Sequence, residues 1–166
     1  MIKDVSRLYA KYWKYEMTRL TKDPYHRLEY DTTFRFLNKY LPKKGTILDA
    51  GGGTGTYTVS LAMRGYDAVL LDLSKENLKA AQAEIIKTDT KGKIKSLAQG
   101  TITDLSRFGS DTFDAVLCLG GPISLVYGRD NRRKAMNELV RVAKKGAPCP
   151  LLRAIHSTSA TILWSR

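Results

Sequence analysis

Thr46-Ile47-Leu48-Asp49-Ala50-Gly51-Gly52-Gly53-Thr54-Gly55 is where an apolar run meets a cluster of glycines, and a helix-like segment follows from Thr56 to Arg64. The order is strand, tight turn, helix, with the glycines at the joint. Glycine suits that joint because the backbone turns through positive φ and a ligand can approach bare main chain. The spacing is D-x-G-x-G-x-G, on Asp49, Gly51, Gly53 and Gly55, with Gly52 between. The dinucleotide fingerprint G-x-G-x-x-G would need glycine at position 56, which is Thr56. The spacing therefore points to an adenosyl ligand other than a nicotinamide dinucleotide.

Downstream, strands and helices alternate. Ala68–Leu71 reads as a second strand ending in Asp72, and Ser74 is a good N-cap for a helix to about Lys87. Ile94–Ala98 reads as strand three, and Thr101–Ser110 is too short and mixed for a full helix. Phe113–Leu119 is almost continuously apolar, as a strand buried on both faces should be, and Gly120-Gly121-Pro122 ends it. Asn131–Val142 reads as a helix with Ala135, Leu139 and Val142 on one side, and Leu151–Ile155 as a fifth strand. This pattern predicts an α/β fold, a doubly wound, mostly parallel sheet with helices on both faces. Ahead of it, residues 1–45 read as an N-terminal helical cap or lid. Val5, Leu8, Tyr9, Tyr12 and Trp13 form one apolar stripe, and a second helix from about Tyr25 carries Leu28, Phe34, Leu37 and Leu41 inward. The first helix either packs on the core or covers a ligand with Tyr9 or Tyr12.

In such a sheet, ligands bind beyond the carboxyl ends of the strands, where the strand order reverses. Three polar clusters fall there: the glycine turn, Asp72 at the end of strand two, and the Gly100-Thr101-Ile102-Thr103-Asp104 turn. An acid about 20 residues past the glycines can accept from both hydroxyls of a ribose. Each cluster also has a purely structural reading, as close packing or as a helix cap; together, in register, they point to a cofactor site.

The chain has 166 residues, 43% hydrophobic and 27% charged, which fits one soluble domain. No apolar run approaches the roughly 18 residues that span a bilayer. No signal-peptide core follows Met1-Ile2-Lys3-Asp4, so a cytoplasmic location is expected. Cys118 and Cys149 lack C-x-x-C spacing and read as reduced, buried thiols rather than a zinc site or a disulfide. The formal charge of +12 is compatible with nucleic acid or an acidic surface as partner. A lysine-rich solvated surface is the favoured reading of that charge, because no basic run carries interleaved stacking aromatics.

With these residues in view, Thr46 to Gly146 resembles a class I S-adenosylmethionine-dependent methyltransferase. Leu48–Gly55 looks like the family's first motif, whose glycine backbone approaches the methionine part of the cofactor and whose acid, here Asp49, helps hold its amino group. The resemblance makes Asp72 the ribose acid and sets Leu73 beside the adenine. Phe113-Asp114-Ala115-Val116 is similar to the fourth-strand motif, with Leu119 near the transferred methyl. Glu138–Val142 before Lys145-Gly146 is similar to the helix and turn ahead of strand five. The family's acid after Gly100 is replaced by Thr101, so either a weaker contact is made or Asp104 substitutes, while the Ile102 amide is expected to reach the adenine edge. The core is assigned to 46–156 and an incomplete tail to 157–166. Only 20 residues follow Gly146, too few for the family's last antiparallel pair in its seven-stranded sheet, and the chain reads as C-terminally truncated.

The expected function is methyl transfer from S-adenosyl-L-methionine, leaving S-adenosyl-L-homocysteine, to a small-molecule acceptor. The alternatives are a basic RNA- or DNA-binding module of the same fold, or an inactive cofactor-binding fragment. A homodimer through an exposed sheet edge is possible and a membrane partner is not expected. The cofactor set is Asp49, Gly51, Gly52, Gly53, Gly55, Asp72, Leu73, Thr101, Ile102 and Leu119. No catalytic residue and no metal ligand is assigned. His26 reads as a helix-start residue and His156 as a weak candidate base.

Overall fold

The computed structural model describes residues 11, 14, 15, 18, 22–152 and 160–164. The Val5–Trp13 stripe, the lid reading of Tyr9 and Tyr12, and His156 therefore lie outside the described residues.

Helix α1 (Pro24–Tyr40) starts where the sequence supplies a cap: the Asp23 carboxylate accepts from the His26 amide at 3.0 Å, and Pro24 takes the first helical position. Thr33, Phe34 and Leu37 are buried, with Tyr30 and Leu41 packed around them. Leu28 departs from expectation, at 64% exposed. Six residues at about 100° each place it about 120° around the helix from Phe34, off the inward stripe.

Four parallel strands form the sheet: β1 (Thr46–Ala50), β2 (Asp67–Asp72), β3 (Ile94–Gln99) and β4 (Ala115–Leu117), in the order β3-β2-β1-β4. Helices α2 (Thr56–Met63) and α3 (Lys75–Lys87) make the crossovers, and α4 (Arg129–Val142) follows β4. Strand alternation sorts the side chains onto two faces. Ile47, Ala115, Leu117 and Leu119 pack with Phe34, Leu37, Tyr57 and Leu61 of α1 and α2. Leu48, Ala50, Val69, Leu71, Val116 and Cys118 pack on the other face with Ala135, Leu139 and Val142 of α4. Helices therefore cover both faces, and the three α4 residues expected to face inward do so. Cys118 and Cys149 are free and buried, and burial pushes their thiols up to about 12 and about 11 respectively.

Two differences lie after β3. Regular pairing in strand four is confined to Ala115–Leu117, flanked by a bridge between Phe113 and Ala143. Strand five, β5 (Pro148–Leu152), begins three residues before the expected Leu151. Its prolines offer carbonyls but no N–H, and the Cys118 amide donates to the Pro150 carbonyl at 3.1 Å, bringing β5 beside β4. An antiparallel strand β6 (Ala160–Trp164) then pairs with β5, from Pro148 opposite Trp164 to Leu152 opposite Ala160. The incomplete tail expected over 157–166 thus contains a paired strand. The run Ala160-Thr161-Ile162-Leu163-Trp164 has the β-branched and aromatic residues a strand favours, and a hairpin-like return needs far fewer residues than a crossover. Among the described residues these four parallel and two antiparallel strands are the whole sheet structure.

Candidate functional site

β1 lies between β2, reached through α2, and β4, which arrives later in the chain. The strand order reverses there, and the turn leaving β1 opens onto that switch point. Gly51, Gly53 and Gly55 have φ of 79°, 59° and 81°, the left-handed region in which a side chain is strained. Gly52 is required for space instead: a Cβ there would overlap the Asp49 carboxylate and stand 2.5 Å from Leu70 Cδ1. A Cβ at Gly51 would come within 2.6 Å of Pro122 Cγ, so the turns after β1 and β4 touch.

The amides of this turn are used inside the chain. Gly51 and Gly52 donate to the Leu71 carbonyl at 2.7 and 3.3 Å, and Gly53 donates to Asp72 Oδ2 at 2.9 Å. A pyrophosphate cradle would need such N–H groups aimed outward. Their internal use agrees with the missing third glycine of the dinucleotide pattern.

Asp49 is 1% exposed. The Thr58 hydroxyl donates to its Oδ2 at 2.6 Å, while its Oδ1 is buried without a hydrogen-bond partner. Burial pushes this carboxyl up to about 6; Thr58 opposes the shift, and the nearby Asp72 charge adds to it. Asp72 is 8% exposed, and burial raises it too, against hydrogen bonds from the Ser74 amide, the Asn77 side chain and the Gly53 amide. Ser74 N–H and Asn77 Nδ2 meet its Oδ1 at 2.9 and 3.1 Å. Asp72 is therefore a junction joining the glycine turn to the first turn of α3.

The end of β3 supplies the third part. Gly100 N–H donates to the Asp72 carbonyl at 3.0 Å, and Gln99 Nε2 donates to the Leu73 carbonyl at 3.1 Å. A cavity of about 400 Å³ opens here, lined by Leu71, Gln99, Gly100, Thr101, Asp104 and Arg107 among others. Thr101 and Asp104, the two candidates for the missing adenine acid, thus share one cavity. The Thr101 hydroxyl is paired with Thr103 Oγ1 at 2.9 Å, whereas Asp104 is exposed and held below the usual carboxylate range by Ser106. The Ile102 side chain is 6% exposed and belongs to the core beneath α4. Leu119 is also 6% exposed and packs in the cluster under α1.

Sequence reasoning missed Thr58 and Asn77, which hold the two acids. The signal was available: each is a polar residue on an otherwise apolar helical stripe, Thr58 with Leu61 and Ala62, and Asn77 with Ala80, Ala81 and Ile85. Other motif residues are structural. Asp114 accepts from the Thr46 amide at 2.8 Å and Lys144 Nζ at 2.7 Å. Glu138 accepts from the Leu105 amide, and Arg141 donates to the Leu105 and Phe108 carbonyls, tying the loop after β3 to α4. His26 Nδ1 lies 2.8 Å from Asp23 Oδ1 at the helix start.

A glycine turn at the switch point with two buried acids beside it defines a Rossmann-like cofactor-binding domain. Residues 47–146 match the family model described as "Methyltransferase domain", and the chain belongs to that family. It is 31% identical over 111 residues to the glycine/sarcosine N-methyltransferase of Aphanothece halophytica, covering 66% of this chain and 41% of that protein. It is 33% identical over 117 residues to the demethylmenaquinone methyltransferase of Clavibacter sepedonicus, covering 64% and 44%. The chain thus spans about two-fifths of the length of these curated relatives. Among solved structures, the Pyrococcus horikoshii protein PH0226 superposes with a TM-score of 0.68 at 23% identity, covering 85% of this chain and 64% of that one. The CcbJ methyltransferase of Streptomyces caelestis does so at 0.64 and 16%, covering 72% and 47%. At those identities the likeness is one of fold. No helix among the described residues is long and apolar enough to cross a membrane.

Proposed function

We propose that the chain binds S-adenosyl-L-methionine along the ends of β1, β2 and β3 and directs its methyl group to a small-molecule acceptor. The observation that carries this reading is the buried, unpartnered Oδ1 of Asp49 at the foot of the glycine turn. A buried carboxylate oxygen is costly without a donor, and a cationic donor suits it best. An amino-acid ammonium at the glycine turn supplies that donor without asking the turn for phosphate-binding amides. Asp72 then faces the ribose, and the cavity holding Thr101 and Asp104 faces the adenine. When bound, the cofactor supplies an electrophilic methyl on a sulfonium, so the chemistry resides largely in it.

The chain's own residues have three tasks. Asp49 and Asp72 hold the cofactor's ammonium end and its ribose, the glycine turn keeps side chains out of its path, and the buried Leu119 keeps water from the region expected beside the methyl. No side chain is assigned as a general base. The acceptor class follows the relatives, whose names give glycine, sarcosine and demethylmenaquinone as the molecules acted on. Methyl-labelled cofactor incubated with the chain and a panel of small amines, amino acids and quinols should label one acceptor class. Cofactor binding without labelling of any member would leave a binding domain and remove the transferase reading.

A further inference from the structure

The strand order sets which side of the glycine turn is left for a methyl acceptor. β2 and β3 lie on one side of β1, with the Asp72 junction and the cavity after β3, and β4 lies on the other. The loop leaving β4 begins against the glycine turn, since a Cβ on Gly51 would meet Pro122 Cγ at 2.6 Å. Beyond that contact, residues 122–128 have had no role so far.

This loop is pinned from several sides. The Ile123 amide donates to the Cys118 sulfur, and Ile123 and Val126 pack against the core beneath α4. Asn131 Nδ2 donates to the Tyr127 carbonyl at 3.0 Å, and Arg132 Nη1 to the Val126 carbonyl at 3.0 Å. Despite these ties Leu125 is 42% and Tyr127 69% exposed. A fixed loop that turns two large, mostly apolar side chains outward is built as a contact surface.

Positive charge gathers on the same stretch. Arg129, Arg132, Arg133 and Lys134 are all exposed, against one acid, Asp130, which Arg133 takes at 3.2 Å. Among the described residues no acid pairs with Arg129 or Arg132. Cations at the start of α4 oppose the helix dipole, which favours acids there, so the helix gains nothing from them. Arg132 gives one N–H to the Val126 carbonyl, which fixes its guanidinium beside the loop and leaves its other donors for a ligand. A planar fork of N–H groups matches a carboxylate.

We propose that residues 122–128, with Arg129 and Arg132, form the acceptor-docking surface, and that the acceptor is a small molecule joining a carboxylate to a flat apolar body. The arginines take the carboxylate, and Leu125 and Tyr127 cover the apolar part. The inference rests on the cofactor reading above and deepens it by giving the acceptor a charge and a shape.

Benzoate and benzamide, alike in shape and different in charge, are the probes, titrated into the labelled chain loaded with S-adenosyl-L-homocysteine. NMR follows the Tyr127 ring and the Nε–H groups of Arg129 and Arg132. Benzoate should move all of these and bind at least about tenfold more tightly than benzamide, the worth of a charge-assisted hydrogen bond. Arg129→Gln, which breaks no ion pair among the described residues, should weaken benzoate about tenfold and leave the affinity for S-adenosyl-L-homocysteine unchanged. Equal binding of the two probes, or shifts confined to other parts of the chain, overturns the proposal, and that comparison needs no variant. So does inorganic phosphate or a short single-stranded oligoribonucleotide that moves the same resonances at lower concentration than benzoate, because the surface then serves phosphates. A folded chain that binds no S-adenosyl-L-homocysteine removes both readings, whereas one that binds it and ignores benzoate removes only this one.

Discussion

Asp49 concentrates the chemistry of the site in one group. Its folded-state value of about 6 stands above the ordinary 3.8, so the fold holds the proton more tightly than the unfolded chain does. Its contribution to stability is therefore greatest below about pH 4, declines as pH rises through 6, and is constant above, a difference on the order of 3 kcal/mol. Asp49→Asn removes the buried charge and keeps the shape. We expect its thermal midpoint in the absence of ligand at pH 7.5 to equal or exceed that of the wild type, measured by calorimetry. Ligand binding should move the opposite way: the Asp49→Asn variant should bind S-adenosyl-L-homocysteine at least tenfold more weakly, as a charge-assisted hydrogen bond is lost. Wild-type affinity should also strengthen as pH rises through about 6, because the ammonium needs the ionised carboxylate. At this scale Asp49, Asp72 and the glycines were legible, since they stand at fixed offsets from a strand end. Thr58 and Asn77 were not, because their partners depend on where α2 and α3 cross the sheet.

The elements depend on a few polar junctions. Asp72 joins the glycine turn to α3, and Asp72→Ala would leave the Gly53 amide, the Ser74 amide and Asn77 Nδ2 without their acceptor. At about 1–3 kcal/mol per buried unsatisfied donor, we expect a loss of at least about 3 kcal/mol, read as a lower urea midpoint at unchanged slope. Arg141 and Glu138 make the second junction, between α4 and the loop after β3. Arg141 holds Glu138 below the usual carboxylate range. Arg141→Ala should speed amide exchange at Leu105 and Phe108 at least tenfold while leaving the β1 amides unchanged. Helix existence was readable from the apolar spacing and the cap of α3 from Ser74, whereas the Asp23 cap of α1 emerged only in the structure. Leu28 misled because an exposed leucine carries the same letter as a buried one, and β5 misled because its two prolines lack donors and mimic a loop.

For the whole molecule, the alternation of strands and helices specified the parallel sheet and its two covered faces. The Phe113 side chain, 2% exposed where β4 meets α4, secures that packing, and Phe113→Ala should cost about 3–5 kcal/mol by urea unfolding. The antiparallel return of β6 was not legible, because nothing local distinguishes a strand that pairs from a run that could. The central claim is that the carboxyl end of this sheet receives an adenosyl cofactor and not a phosphate-bridged dinucleotide. Calorimetric titration of the 166-residue chain with S-adenosyl-L-homocysteine and, in parallel, NADH tests it most directly. The account expects saturable binding of the first at one site per chain and no measurable heat from the second. A folded chain that binds NADH as well, or ignores S-adenosyl-L-homocysteine, would contradict it.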